Sequence, residues 1–318
     1  MQNHARSQVI NYQTALDQTS GQQDSGSWLT SISDLPELDV CYEAEEKILW
    51  QYMKPAGRPS FTLGLLRDLA AVLDAVEKSH LSSEHSPIQY MILASRLAGI
   101  YNLGGDLTRF QEMIKIGDRE GLRHYAHSCI HVQHRRASRM NLPICTIALV
   151  QGDALGGGFE VALAHDVIIA EKSAKFGLPE ILFNLFPGMG AYSFLSRRLD
   201  GARAERLMTS GQLYSAQDMY DMGIVDVLAE DGAGTLAVSR YIEQHRRASK
   251  SRMAIAKVRD MVSPVTLEEM MNITDLWVET ALTLDPRDLR KMQHLVAAQE
   301  RRVARTDIVE DETHRASA

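Results

Sequence analysis

Residues 148–166 read ALVQGDALGGGFEVALAHD, an apolar strand that runs into Gly156, Gly157 and Gly158 and leaves them as a helix. Three consecutive glycines weaken any regular element, so the chain here needs unusual dihedrals or a close approach to its backbone. A glycine turn at a helix start points free N–H groups and the positive end of the helix dipole outward, where they can stabilise an oxygen anion. Glu160 then falls in the first helical turn. Read alone, the segment also suits a tight strand-to-helix turn with Glu160 complementing the dipole. Phosphate binding fits less well. The segment lacks the Lys-Ser/Thr of a P-loop and the spacing of a dinucleotide fingerprint, and a carboxylate at that mouth would repel phosphate.

Outward from this turn, strands and helices alternate. LDVCYE (38–43) and KILWQYMK (47–54) read as short strands, FTLGLLRDLAAVLDAVEKS (61–79) as a helix and PIQYMILAS (87–95) as a strand. A long helical stretch is expected from about Leu107 to Met140, stopped by Asn141 and Pro143, before the buried strand ICTIALV (144–150). VIIAEKSAKF (167–176) reads as one more strand. This order predicts an α/β fold of βα units around a largely buried sheet. From about Leu236 strand signals fade, and 236–262, 265–283 and 286–304 read as three amphipathic helices separated by Pro264 and Pro286. The Gln-, Ser- and Gly-rich start is expected to be a disordered tail over 1–35, with a catalytic core over 36–235, a helical region over 236–304 and a frayed tail over 305–318.

Composition narrows the function. The 318 residues are 45% hydrophobic and 24% charged, ordinary globular values, and the net charge of −7 argues against nucleic acid as a partner. No run reaches the roughly 20 apolar residues of a membrane span, and the first twenty residues lack the apolar stretch of a secretory signal, so a cytoplasmic protein is expected. Cys41, Cys129 and Cys145 are odd in number and form no CxxC pair, which excludes a zinc ribbon and suits small buried hydrophobes in a reducing compartment.

Two more segments carry chemistry. In FGLPEILFNLFPGMGAYSFL (176–195), Glu180 follows Pro179 among apolar residues, a setting that raises a carboxyl pKa and suits proton transfer near neutrality; a helix-start charge is the plainer reading. In NLGGDL (102–107), Gly104 and Gly105 offer another backbone donor or simply end a strand. Two N–H donors facing two carboxylates across an apolar cleft is what enolate chemistry on a thioester requires. The carbonyl oxyanion is held while one group moves the α-proton and another protonates a β-hydroxyl leaving group.

The chain resembles the crotonase (enoyl-CoA hydratase/isomerase) superfamily from about residue 40 to 302, through VQGDALGGGFE, FGLPE and YSAQDMYDMGIVDVL. Within it, IYNLGGDL, LPEILFNLFPGMGAYSFLSRRL and LEEMMNITDLWVETA look most like the diffusible-signal-factor synthases, which make cis-2-unsaturated fatty-acid signals. The resemblance implies a crotonase-type ββα spiral core with a C-terminal helical oligomerisation region, packed as a homotrimer or dimer of trimers. It implies Glu160 and Glu180 as the acid/base pair, the Gly105 and Gly157 amides as the oxyanion hole, and Gly104 and Gly156 as its shape. Leu155, Met189, Trp277 and Leu295 match positions expected to line an acyl tunnel; plain core packing is the competing reading.

The expected reaction is dehydration of a 3-hydroxyacyl thioester followed by release of the free acid. Glu180 takes the C2 proton and Glu160 protonates the leaving hydroxyl, or the reverse. No cofactor or metal is implied. Where other members carry an Asn-Ala-Leu motif near the CoA phosphates, this chain reads RPSFTLGLLRDL (58–69), which suits acyl carrier protein over CoA. Arg135, Arg136 and Arg139 are then a candidate dock for that acidic carrier, against a solvated basic face. A membrane sensor kinase is a further partner implied by the subfamily. His124, His127, His131 and His134 recur at helical spacing, but nothing else in the sequence completes a metal site. No GxSxG elbow appears, and GMGAYS lacks the acidic residue of a dinucleotide site. A β-oxidation enoyl-CoA hydratase and a non-catalytic binding protein on the same fold are the alternatives.

Overall fold

The computed structural model describes residues 26–55, 57–82, 87–299 and 301. Two sheets and eleven helices build it, with further helical turns over 286–299. The strands are β1 (Leu38–Glu43), β2 (Ile48–Met53), β3 (Tyr90–Ser95), β4 (Gly99–Asn102), β5 (Cys145–Val150), β6 (Gly152–Leu155), β7 (Val167–Glu171), β8 (Lys175–Gly177), β9 (Leu213–Ser215) and β10 (Val227–Ala229). β1-β2-β3-β5-β7-β10 form one sheet and β4-β6-β8-β9 the other. Pairing is parallel except at β1–β2 and β8–β9.

Three times the chain runs along the larger sheet, turns a corner within a few residues, and continues as a strand of the smaller one: β3 into β4, β5 into β6, β7 into β8. This is a ββα spiral. β3 and β5 are buried along their whole length, which is why YMILAS and CTIALV carry no polar alternation. The corner strands β6 and β8 were not separately legible. GDAL reads as part of a turn, and KFG as the end of VIIAEKSAKF, because strands of four and three residues carry no usable period.

The helices are α1 (Gly26–Thr30), α2 (Leu63–Leu81), α3 (Leu107–Ile116), α4 (Arg119–Ala137), α5 (Gly157–Leu163), α6 (Ala191–Arg198), α7 (Gly201–Ser210), α8 (Ala216–Asp221), α9 (Gly234–Arg246), α10 (Ser249–Val262) and α11 (Leu267–Leu282). The expected single helix over 107–140 is two. Gly117 ends α3 in the left-handed conformation (φ +68°), and the Asp118 side chain caps α4 by accepting from Gly121 N. The first C-terminal helix is likewise split into α9 and α10.

The start of the packed body also needs correction. Residues 26–35, read from composition as tail, hold α1 and bury Trp28 and Ile32, with Trp28 edge-on to Tyr42. Two large apolar side chains outweigh the flanking Gly and Ser. Residues 1–25 and the expected tail over 305–318 lie outside the described residues. Among the described residues no helix is long and apolar enough to cross a membrane.

Candidate active site

The site forms at the C-terminal ends of the smaller sheet's parallel strands. Because β4 pairs with β6, the glycines that follow them lie side by side: Gly104-Gly105 after β4, Gly156-Gly157 after β6. A Cβ built on Gly157 would stand 3.4 Å from Gly104 Cα and 3.5 Å from Gly105 N. Gly104 (φ +98°) and Gly156 (φ +51°) hold backbone conformations that favour glycine, and these aim the following amides. Among the described residues neither the Gly105 nor the Gly157 N–H has an acceptor, and both residues line one cavity. β8 completes the frame, since Gly156 N donates to Gly177 O at 2.8 Å. Pro179 then opens a single 3-10 turn, Pro179–Phe183, that carries Glu180.

These elements close around a narrow cavity with a free volume of about 40 Å³. Phe61, Leu66, Phe110, Val132, Phe183 and Trp277 supply apolar wall; Glu160, Glu180, Tyr125, Cys129 and Gln133 are its polar members. Glu160, on α5, is 1% exposed, and its Oε1 accepts from Met189 N at 2.8 Å and Ala191 N at 3.1 Å. Burial pushes its carboxyl above the ordinary range, and these two bonds oppose the shift. Glu180 is raised by burial and then by the neighbouring Glu160 charge. Its Oε2 is buried without a hydrogen-bond partner among the described residues. The two carboxyls therefore do not ionise independently, and the pair can hold one proton near neutrality, as an acid and a base sharing a largely apolar cleft.

Of the residues singled out in the sequence, Glu160, Glu180, Gly105, Gly157, Met189 and Trp277 come together around this cavity, with Gly104 and Gly156 behind the amides. Leu155 is buried instead with Ile100 and Leu103, and Leu295 is a half-buried residue packed on the main core; neither is among the lining residues. The sequence reading missed Phe61, Tyr125, Cys129, Val132, Gln133 and Phe183. Four of these lie on α4, and their helical spacing was the available signal. Burial raises the Cys129 thiol to about 12, so it is a wall and not a nucleophile.

The arginine dock is not formed. Arg135 and Arg136 diverge on α4, Arg139 lies in the turn beyond its end, and each has its own engagement: Arg135 with Asp74 and Glu77, Arg136 buried against Gln51, and Arg139 buried between Asp166 and Asp260. His124, His127 and His131 share a surface groove, where His127 meets Asp275 at 2.8 Å, while His134 faces a different cleft. Among the described residues no three His, Cys, Asp or Glu side chains are placed to hold a metal.

Comparison with known proteins gives the same answer as the fold. The chain is 28% identical over 256 residues to rat mitochondrial methylglutaconyl-CoA hydratase, covering 78% of this chain and 75% of that one. An enoyl-CoA hydratase from Bacillus halodurans superposes with a TM-score of 0.67 at 21% identity, covering 81% of this chain and 99% of its own. Pseudomonas aeruginosa DspI superposes with a TM-score of 0.60 at 21% identity, covering 73% of this chain and 90% of its own. The enoyl-CoA hydratase/isomerase pattern matches residues 51–294, and the chain belongs to that family, with the crotonase fold.

Proposed function

We propose that this protein dehydrates a 3-hydroxyacyl thioester to a cis-2-enoyl thioester and then hydrolyses it, releasing a free unsaturated fatty acid of the diffusible-signal-factor kind. One observation carries the reading: the Glu160 and Glu180 carboxyls and the Gly105 and Gly157 amides, both without an acceptor among the described residues, line one largely apolar cavity. The thioester oxygen accepts from Gly105 N and Gly157 N, which hold the negative charge that develops when the C2 proton leaves. One carboxyl takes that proton and the other gives its own to the departing 3-hydroxyl, so the step yields the 2-enoyl thioester and one water. Two N–H donors favour the ionised form of Glu160, and its charge favours a protonated Glu180. This supports Glu160 as the base and Glu180 as the acid, the second of the two assignments the sequence left open. Water activated by the same pair then attacks the thioester carbon, and the thiol leaves.

The preference for acyl carrier protein rests on the departure at 58–69 and on the subfamily resemblance, and loses the arginine dock. The partner sensor kinase and the cytoplasmic setting rest on that resemblance and the composition. Assembly as a homotrimer or dimer of trimers is supported by α10, which buries none of its residues within the chain and exposes Ile255, Val258, Met261 and Val262. Analytical ultracentrifugation tests it, and a single monomeric species would refute it.

The relatives' names favour a second reading, hydration of a 2-enoyl-CoA, the same step reversed. Purified protein offered 3-hydroxyacyl carrier proteins, 3-hydroxyacyl-CoAs and 2-enoyl-CoAs separates the two. Mass spectrometry should find a free 2-enoic acid from the first substrate. Hydration of 2-enoyl-CoA without any free acid would replace the proposal with the second reading.

A further inference from the structure

We propose that Gln133, backed by the buried guanidinium of Arg136, is the floor of the acyl cavity and limits the chain length it accepts. The inference rests on the acyl-thioester reading of that cavity. α4 runs beside it: Tyr125, Cys129, Val132 and Gln133 all line it. Tyr125 marks the thioester end, because its hydroxyl donates to Phe61 O and accepts from Asp106 N, next to the Gly105 amide. At a rise of 1.5 Å per residue, Gln133 stands about 12 Å further along the helix.

The character of the wall changes there. Gln133 is 3% exposed and its Oε1 is buried with no hydrogen-bond partner among the described residues. One turn on, Arg136 is 1% exposed. Its Nη2 donates to Gln51 Oε1 at 3.0 Å, while Nε, Nη1, Gln51 Nε2 and the Tyr101 hydroxyl are buried and unpartnered among the described residues. The titratable groups acting on Arg136 are Arg135 and Tyr101, whose buried phenol stays protonated at neutral pH. Burial lowers its pKa only to about 10, so it stays charged at neutral pH.

A growing alkyl chain gains from leaving water as long as it meets Phe, Leu and Val. Beyond Gln133 a methyl group would press on an amide and a guanidinium, and would strip them of any hydrogen bond they hold while returning none. Polarity as well as volume therefore ends the cavity.

The test is binding, kept separate from turnover. Saturated acyl-CoA thioesters of graded length are titrated calorimetrically into the full chain, wild type, Gln133→Ala and Gln133→Asn. Wild-type affinity should rise with each carbon to a limit and then fall about tenfold per carbon. Gln133→Ala should move the limit to longer chains, and Gln133→Asn, which keeps the amide but shortens it, should move it less. If the alanine variant does not fold, the asparagine variant carries the test. An unchanged limit in the folded variants would overturn the floor and leave the enzyme reading intact. So would preference for a chain ending in a carboxylate over a methyl-ended chain of equal length, which would make Arg136 a ligand-binding group. Failure of every acyl thioester to bind would overturn the acyl-cavity reading itself.

Discussion

Gly156 and Glu180 fit each other without room for a methyl group: a Cβ on Gly156 would lie 2.6 Å from Glu180 Oε1. Gly156 also sits at φ +51° and ψ −125°, where a side chain is strained whatever the space. Gly156→Ala should thus displace the carboxyl and distort the Gly157 amide together. We expect about 1–3 kcal/mol of lost stability by thermal unfolding, and roughly a hundredfold lower dehydration rate from misplaced groups. A wild-type rate would mean that Glu180 does not work from the position seen here.

Glu160→Gln and Glu180→Gln keep volume and remove proton transfer. Each should lower the initial rate of 2-enoyl product by about 10²–10⁴-fold. In Glu160→Gln the side-chain amide still offers an oxygen to Met189 N and Ala191 N, the two donors that hold the native carboxyl, so this variant should fold normally. Dehydration at wild-type rate in either variant would remove that residue from the mechanism.

The raised carboxyls also set a direction for stability against pH. Burial raises Glu160, and burial plus the Glu160 charge raises Glu180. Over the window between the ordinary carboxylate pKa and these raised values, the native protein holds protons that the unfolded chain has lost. Their contribution is therefore favourable at the acidic end and is lost as pH rises through the folded values. Glu180→Gln removes one such group, so it should gain melting temperature over wild type above neutrality. The difference should vanish near pH ~4, where the unfolded carboxyl is protonated as well. A constant difference across melting curves from about pH 4 to pH 9 would contradict the raised pKa.

The legible parts of this site were those encoded locally. ALGGGFE and LPE announce themselves because a glycine triplet and a carboxyl after proline have few structural uses, and unbroken apolar runs mark the buried strands β3, β5 and β7. What failed was encoded in direction and distance. HRRASR counts as a basic patch, yet Arg135 and Arg136 leave α4 in different directions, Arg139 lies in the turn beyond its end, and the three reach Glu77, Gln51 and Asp166 from other elements. The Tyr125–Gln133 wall was hidden for the same reason. Its period was visible, but which helix face meets the cavity depends on pairing between β4 and β6 far away in sequence. Trp28 was lost in a polar neighbourhood that composition averages over.

The corrected role of Arg139 is testable. Its Nη1 lies 2.7 Å from Asp166 Oδ1, and Asp166 Oδ2 in turn accepts from Thr146 N and Oγ1 at the start of β5. Arg139→Met should leave the part-buried Asp166 with Arg259 as its remaining cation and cost about 1–3 kcal/mol in denaturant unfolding. Arg135→Ala, at a less buried site, should change stability little and leave KM for a carrier-protein substrate unchanged. A raised KM in Arg135→Ala would restore the dock.

Trp277 is the wall most open to redesign. It is 3% exposed, lines the cavity, and meets Phe110 edge-on with ring centroids 5.1 Å apart. A Cβ on Gly188 would approach its ring to 2.4 Å, so the indole already fills its space against the backbone. Trp277→Ala should cost about 3–5 kcal/mol because the surroundings collapse only partly. Trp277→Phe keeps an aromatic partner for Phe110 and opens less volume. Both should shift the product profile toward bulkier or longer acyl chains, the alanine more, as read by mass spectrometry from a mixed-length substrate pool. If the profile stays fixed while stability falls, Trp277 is core and not a wall of the acyl site.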